Sequence, residues 1–309
     1  MTDTLNTASQ EAKQWFDKLL MERALPFLVH NQWGQKRDVP KNGGISVEFR
    51  RFGALAVATT ALTDGTVPGA NSLAITVVTA SVAQYGDHVK ISDRLINAGI
   101  DNVVKEATEL LGEQAGDTID QITRDIVVAG TSVNYASTAT SRGGVGSGMI
   151  MATADILKAI RTLMTNNARQ IDGKWIMVIH PFQWRDLMTD TTVQNAFQNA
   201  YPRDKTNPDY TGEIGEIFGC KVIVTGNAKK QTSLGQSGQD VYAAMFLGKN
   251  AYGVTSINGL SMKTYFKPLG SAGADDPLNQ YATVGWKAYH TSARLNENFM
   301  VRVETAATA

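Results

Sequence analysis

From Ser92 onward the apolar residues fall into one helical stripe, and it is longer than most small compact folds accommodate. Ile96, Ile100, Val103, Ala107, Leu110, Ile119, Ile122 and Ile126 keep one face over about eight turns. At about 1.5 Å per residue this predicts a helix roughly 45–50 Å long, capped by Ser92 or Asp93. Its other face carries Glu106, Glu109, Glu113, Asp117, Asp120 and Asp125, with few bases among them. Such a face reads as solvated or intersubunit surface rather than a carboxylate array for chemistry. Gly112 and Gly116 lie inside the helix, each costing about 1 kcal/mol relative to Ala. They mark a bend or the close approach of another backbone. A single helix of this length points to an elongated, flat molecule.

The residues before the helix have a different texture. SQEAKQWFDKLLMERALP has Trp15, Phe16, Leu19 and Leu20 at helix spacing, with Ser9 as N-cap and Pro26 as stop. So short a terminal helix is marginal alone and needs a partner surface. Next, Ile45, Val47 and Phe49 alternate with Ser46, Glu48 and Arg50. A turn-rich centre, LTDGTVPGAN, follows, then a second extended run. This predicts a long β-ribbon with an elaborated tip, poor in bulky core groups. A two-stranded ribbon is not stable alone in water, so it folds onto its own domain or lies on a neighbouring molecule.

After the helix comes a glycine-rich loop, TSVNYASTATSRGGVGSGM. A compact α/β unit of about a hundred residues follows. TADILKAIRTLMTNNA and PFQWRDLMTDTTVQNAFQNA read as helices, and KWIMVIHP, CKVIVTG and VYAAMFLG as buried strands. The chain closes on QYATVGWKAYHTSARLNENFMVRVE. There Val284, Trp286 and Ala288 share one face, and Phe299, Val301 and Val303 alternate with Met300, Arg302 and Glu304. Both runs have the strand period, and a closing two-stranded ribbon is expected. The layout is one compact domain inserted into an extended one.

Bulk properties exclude several functions. Lys and Arg number 29 and Asp and Glu 29, so the formal net charge is zero. That argues against a protein whose main task is gripping DNA over a broad basic face, without excluding local patches. Cys220 is the sole cysteine of the 309 residues, so no disulfide forms within the chain and no cysteine-based zinc site exists. It lies in IFGCKVIVTG and reads as a small buried hydrophobe. The N-terminus has no basic start followed by an apolar block, and no apolar stretch approaches the roughly 20 residues that span a bilayer. A soluble protein made in the cytoplasm is expected.

Chemical motifs are weak throughout. RGGVGSGM opens a helix but lacks the Lys-Ser/Thr ending of a P-loop and the spacing of a dinucleotide fingerprint, so it reads as a surface loop. His30, His88, His180 and His290 are scattered, without a second ligand at helix spacing. No G-x-S-x-G elbow appears. His180 before Pro181 reads as a strand-to-helix corner. The tryptophans sit in separate elements and look like core or interface anchors. No catalytic residue, cofactor or metal is expected.

Four stretches in order, QYGDHVKISD, EATELLGEQAGDTIDQITRDIV, GEIGEIFGCKVIVTG and PLNQYATVGWKAYHTSARLNENFMVRVE, carry a resemblance. Together they resemble the tailed-phage major capsid proteins of the Hong Kong 97-type fold, in the phage N-four-like branch. The resemblance covers nearly the whole chain and rests on order and texture rather than a catalytic signature. It implies an α+β fold with an N-terminal arm (1–33), an extended β-hairpin or E-loop (34–91), and a spine helix with the first part of a peripheral domain (92–150). An inserted α/β axial domain (151–257) and closing peripheral strands (258–309) complete it. It implies a structural protein that self-assembles, as pentamers and hexamers, into an icosahedral shell enclosing double-stranded DNA. Portal, scaffolding and decoration proteins are the implied partners, and the DNA is contacted non-specifically, with no membrane. Location would be the virion capsid, after synthesis and assembly in the bacterial host cytoplasm. No long charged helical leader of the kind fused to some members is present, which implies a separate scaffold or assembly without one.

In such a shell Trp15, Phe16 and Leu19 are expected to pack the arm on an adjoining subunit. Phe49, Arg50 and Arg51 are expected to pin the E-loop over a neighbour's spine helix, with Glu106, Glu109 or Glu113 as acceptors. Gly34, Gly43, Gly44 and Gly86 are the expected hinges. The loops at 212–219 and 233–238 would project near the capsomer axis. Two other classes compete. An encapsulin-like nanocompartment shell shares the fold and differs in its contents. An α/β enzyme or ligand-binding domain centred on 153–254 would need titratable groups converging in one pocket. A phage decoration or tail protein fits the long helix and inserted domain poorly.

Overall fold

A computed structural model describes residues 4–38, 45–53, 55–65, 67, 69–98, 102–200, 216–255, 262–271 and 275–308. In chain order, helix α1 (Thr4–Ala24) leads to strands β1 (Gln35–Arg37), β2 (Ser46–Phe52), β3 (Ile75–Ser81) and β4 (Ala83–Ser92). Helices α2 (Asp93–Ala98) and α3 (Val103–Val128) follow, then β5 (Val133–Tyr135), α4 (Thr153–Thr165) and β6 (Trp175–Ile179). Next come α5 (Pro181–Thr189), α6 (Thr191–Ala200), β7 (Glu216–Ile217), β8 (Cys220–Val224) and β9 (Lys230–Gln231). The chain ends with β10 (Val241–Leu247), β11 (Tyr252–Thr255), β12 (Met262–Lys267), β13 (Tyr281–His290), β14 (Ser292–Arg294) and β15 (Met300–Thr305).

The largest sheet runs β5-β15-β10-β6-β8-β7, with β9 added beside β10. All of β6 and β10 is buried, as expected of strands covered on both faces. On one face Trp175, Met177 and Ile179 pack with Ile156, Leu163 and Leu187 from α4 and α5. On the other, Ile176 and Val178 meet Val127, Val128 and Tyr252. His180 forms the corner between β6 and α5, its ring accepting from the Phe182 N–H at 3.3 Å. Cys220 is fully buried in this core, and loss of hydration pushes its thiol up to about 12.

A second layer joins the sheet β12-β13-β4 to α3. Val284, Trp286, Ala288, Met262 and Ile91 face Leu111, Ala115 and Ile119 of the helix. The single helix expected from Ser92 is two: α2 ends at Ala98, and α3 starts where Asn102 Oδ1 accepts the Lys105 N–H at 3.2 Å. With 26 residues α3 is about 39 Å long. Its buried face also differs from the expected stripe. Ala107, Thr108, Leu111, Ala115, Ile119 and Asp120 are inside, whereas Leu110 is exposed. The cause is that α3 is covered on two sides, by the sheet and by α1. Gly112 and Gly116 admit α1: a Cβ there would stand 2.8 Å from the Leu20 carbonyl oxygen and 2.5 Å from that of Ala24.

The closing two-stranded ribbon does not form. β13 pairs along its length with β4 and also with β12, while β15 pairs with β10 and β5. The chain leaves the first sheet after His290, passes through β14, which pairs with β11, and turns into β15 at the polar break, where Asn296 Oδ1 accepts the Asn298 N–H at 3.2 Å. The glycine-rich loop is also more ordered than its composition predicts. Arg142 forks onto the fully buried Glu304 at 2.9 and 2.7 Å, and Arg302 Nε stands 2.7 Å from the same carboxylate.

Candidate assembly surfaces

The β2–β3 ribbon is in register from Ser46↔Ser81 to Phe52↔Ile75. Its inward positions Val47, Phe49 and Ala80 pack with Val82 and Leu295 of the same chain. Phe49 is fully buried, and its ring lies where a Cβ on Gly253 would come within 2.4 Å. Phe49 is therefore an anchor within the subunit, which corrects its expected role on a neighbour. Arg51 is also turned inward, donating to the Leu295 carbonyl at 3.2 Å. Arg50 points out, with Glu48 3.7 Å away and both side chains more than half exposed.

Beyond Phe52 the tip carries apolar groups that the described residues of its own chain leave uncovered. Leu55, Val57, Leu62, Val67 and Leu73 are 56–91% exposed, and Phe52, Ile75 and Val77 extend the surface onto the ribbon. Exposed large apolar groups this frequent within one segment are a feature of interaction surfaces.

The arm residues divide. Phe16 stacks on Phe266 with ring centroids 5.7 Å apart, and Asp17 Oδ1 accepts the Thr264 N–H at 2.8 Å. Leu19 is half-buried, and Leu20 and Ala24 are buried against α3. This part of α1 therefore packs on its own subunit, contrary to expectation, because the two glycines of α3 leave it a groove. Trp15 alone of the three remains 48% exposed. The carboxylates divide similarly. Arg23 of α1 pairs with Glu109 and lies 4.0 Å from Glu113, so these acceptors are engaged within the chain. Glu106 is exposed.

The expected hinges have other roles where they are described. Gly86 lies in mid-strand opposite Lys287, and a Cβ there would be 2.5 Å from the Trp286 carbonyl oxygen. Close strand packing, not hinge freedom, demands glycine. Gly34 is held against the ring of Tyr252, where a Cβ would be 2.8 Å away. Gly43, Gly44 and residues 212–215 of the loop at 212–219 lie outside the described residues.

One buried cluster escaped the sequence entirely. Asp120, expected on the solvent face, is fully buried: its Oδ1 accepts the His30 N–H at 2.6 Å, and its Oδ2 lies 2.8 Å from His30 Nδ1. Tyr252 donates to the His30 carbonyl. Nearby, His290 is held between Thr123 Oγ1 at 2.9 Å and Thr255 Oγ1 at 3.0 Å. These groups tie α3 to the chain following α1 and to β11. They bond to one another inside the core. Among the described residues no His, Cys, Asp and Glu cluster is arranged to hold a metal, and no helix is long and apolar enough to cross a membrane.

Comparison with known proteins identifies a family. The family model described as phage capsid protein matches residues 75–303, well over half of the chain. The capsid of Ralstonia phage GP4 has a TM-score of 0.67 at 16% identity, covering 86% of this chain and 85% of that one. The capsid of cyanophage P-SCSP1u also has a TM-score of 0.67, at 15% identity over 91% and 89%. That of cyanophage Pam1 gives 0.65 at 17% identity over 85% of each. Among curated proteins no sequence matches. At these identities the structures establish a shared fold. The family match goes further: the chain belongs to the phage capsid protein family, and it is a tailed-phage major capsid protein, a structural subunit of the virion shell and not an enzyme.

Proposed function

We propose that this subunit closes an icosahedral shell around double-stranded DNA by overlapping its β2–β3 hairpin on a neighbour. The exposed apolar tip supports this reading. Leu55, Val57, Leu62, Val67 and Leu73 have no covering surface among the described residues of their own chain, and burying one such side chain contributes about 1.5–3 kcal/mol. The hairpin is then the E-loop, α3 the spine, and 151–257 the axial domain. The first part of the peripheral domain is 92–150, and 258–309 closes it, with β15 reaching into the axial sheet. Each contact is modest, but a closed shell engages many at once, which raises the effective concentration for the next. Arg50, Glu106 and Trp15 are the outward groups available to such contacts. Pentamers and hexamers, a portal, a scaffold, decoration proteins and assembly in the host cytoplasm belong to the same reading.

Negative-stain microscopy tests it. Wild-type protein should form closed particles, and the combined variant Leu55→Ser, Val57→Ser, Leu62→Ser should keep its circular dichroism and lose the particles. Full-sized particles from that variant, or a wild type that stays monomeric at high concentration, would overturn the reading.

A further inference from the structure

The β12-β13-β4 sheet turns one face to α3, and its opposite face is basic and aromatic. In β13 the even positions Ala282, Val284, Trp286 and Ala288 are buried toward the helix. The other face therefore carries Tyr281, Thr283, Lys287 and Tyr289 around Gly285. The register adds Lys263, Tyr265 and Lys267 from β12 and His88 and Lys90 from β4. Lys263 sits directly beside Lys287, and Lys267 and Lys90 flank Thr283 on either side. The two lysine rows are four residues apart, or about 13 Å. Between them a shallow depression is lined by Gly86, His88, Tyr265, Gly285 and Lys287. Lys90 lies 4.7 Å from the Tyr281 ring centroid and Lys287 5.4 Å from that of Tyr265. Asp87 also borders the depression, but it pairs in register with Trp286 and its Oδ2 accepts from Gln114 of α3 at 2.7 Å; among the described residues no carboxylate shares the register of the lysines. Among the described residues the ion pairs are all made by other side chains.

In a chain with zero net charge, four lysines without an ion-pair partner among the described residues form a concentrated local field. The acidic residues Glu106, Glu109, Glu113 and Asp117 belong to α3, on the other side of the same layer. We propose that this sheet face binds the phosphate backbone of duplex DNA, and that it is the side of the subunit turned toward the nucleic acid. The proposal rests on the shell reading for the presence of DNA and adds the site and the polarity. Lysine ammonium groups and tyrosine hydroxyls suit phosphate contact without base readout. A β-face that carries no recognition helix gives binding that is independent of sequence.

Binding of a labelled 20-base-pair duplex to the purified chain, followed by fluorescence anisotropy, tests this. Neutralising four phosphates predicts a slope of log affinity against log salt of about −3.6, a loss of roughly 100-fold between 50 and 200 mM. Replacing Lys90, Lys263, Lys267 and Lys287 together by Gln should remove the binding and flatten the slope. Replacing all four by Arg should keep both, which separates lost charge from a misfolded subunit. Wild-type binding that survives the Gln variant overturns the proposal. So does poly-glutamate binding as strong as the duplex, which would assign the face to an acidic protein. Particle formation is scored separately by microscopy: a Gln variant that forms shells but ignores DNA supports the assignment, whereas a wild type without particles counts against the shell reading alone.

Discussion

Gly116 of α3 passes so close to Ala24 of α1 that a Cβ on the glycine would stand 2.5 Å from the Ala24 carbonyl oxygen. Backbone oxygen cannot step aside as a flexible side chain does. In a free helix interior, Gly→Ala stabilises by about 1 kcal/mol. Here the sign reverses: Gly116→Ala should destabilise by about 1–3 kcal/mol through overpacking. The melting temperature should fall by several degrees, and Gly112→Ala should act likewise. A rise with either variant would mean that the two helices do not touch.

His290 gives the fold an acid-sensitive point. Loss of hydration pushes its imidazole down to about 4, partly opposed by the Asp120 carboxylate. The unfolded chain takes up a proton as pH falls through about 6.5, whereas the folded chain resists protonation until about 4. Folding stability contributed by this residue is thus complete above 6.5 and is lost on the way down to 4, by roughly 3 kcal/mol. Urea midpoints at pH 7 and pH 4.5 should show this drop, and His290→Gln should make it smaller. An unchanged pH slope in that variant would assign the acid sensitivity elsewhere.

Phe49 and Arg50 are adjacent, yet they should fail in different assays. Phe49→Ala empties a fully buried site against Gly253 and Leu295 and should cost about 3–5 kcal/mol of subunit stability. Arg50 is exposed, so Arg50→Glu should leave the denaturation midpoint within about 0.5 kcal/mol of wild type. Its effect should appear as fewer particles by microscopy. If Arg50→Glu unfolds the subunit, or Phe49→Ala spares it, the inward and outward assignments are reversed.

These residues also show what periodicity carries and what it omits. Alternation around Phe49 correctly marks a strand with one apolar face, but period 2 does not say whether that face meets the same chain or another. Gly112 and Gly116 point to a close approach of backbones, and the approach is real. Its partner, α1, could not be named because contact between elements ninety residues apart leaves no local trace. Asp120 fails for the same reason: it looks like part of an acidic stripe until His30 arrives from ninety positions away. The closing strands have the correct period, but the nine residues between them, which include β14, send each to a different sheet. The turn-rich run predicts an elaborated tip to the ribbon, but the sequence leaves open whether the ribbon folds onto its own domain or onto a neighbour.

Glu304 holds the glycine-rich loop in place. It is fully buried, receives both arms of the Arg142 guanidinium and lies against Arg302. Removing its charge leaves two guanidinium groups around a buried site without their acceptor, which should cost about 3 kcal/mol. Glu304→Gln keeps the shape and isolates this loss. In the wild type the fork should protect the peptide bond after Arg142 from trypsin. In the Gln variant the loop is released, and cleavage there should precede global unfolding at low urea. A double-mutant cycle with Arg142→Met separates the pair from the rest of the cluster: the two losses should fall short of additive by 1 kcal/mol or more, on the order of a coupled pair. Strict additivity, with no early tryptic cut after Arg142, would show that the loop is held by its backbone contacts and not by the ion pair.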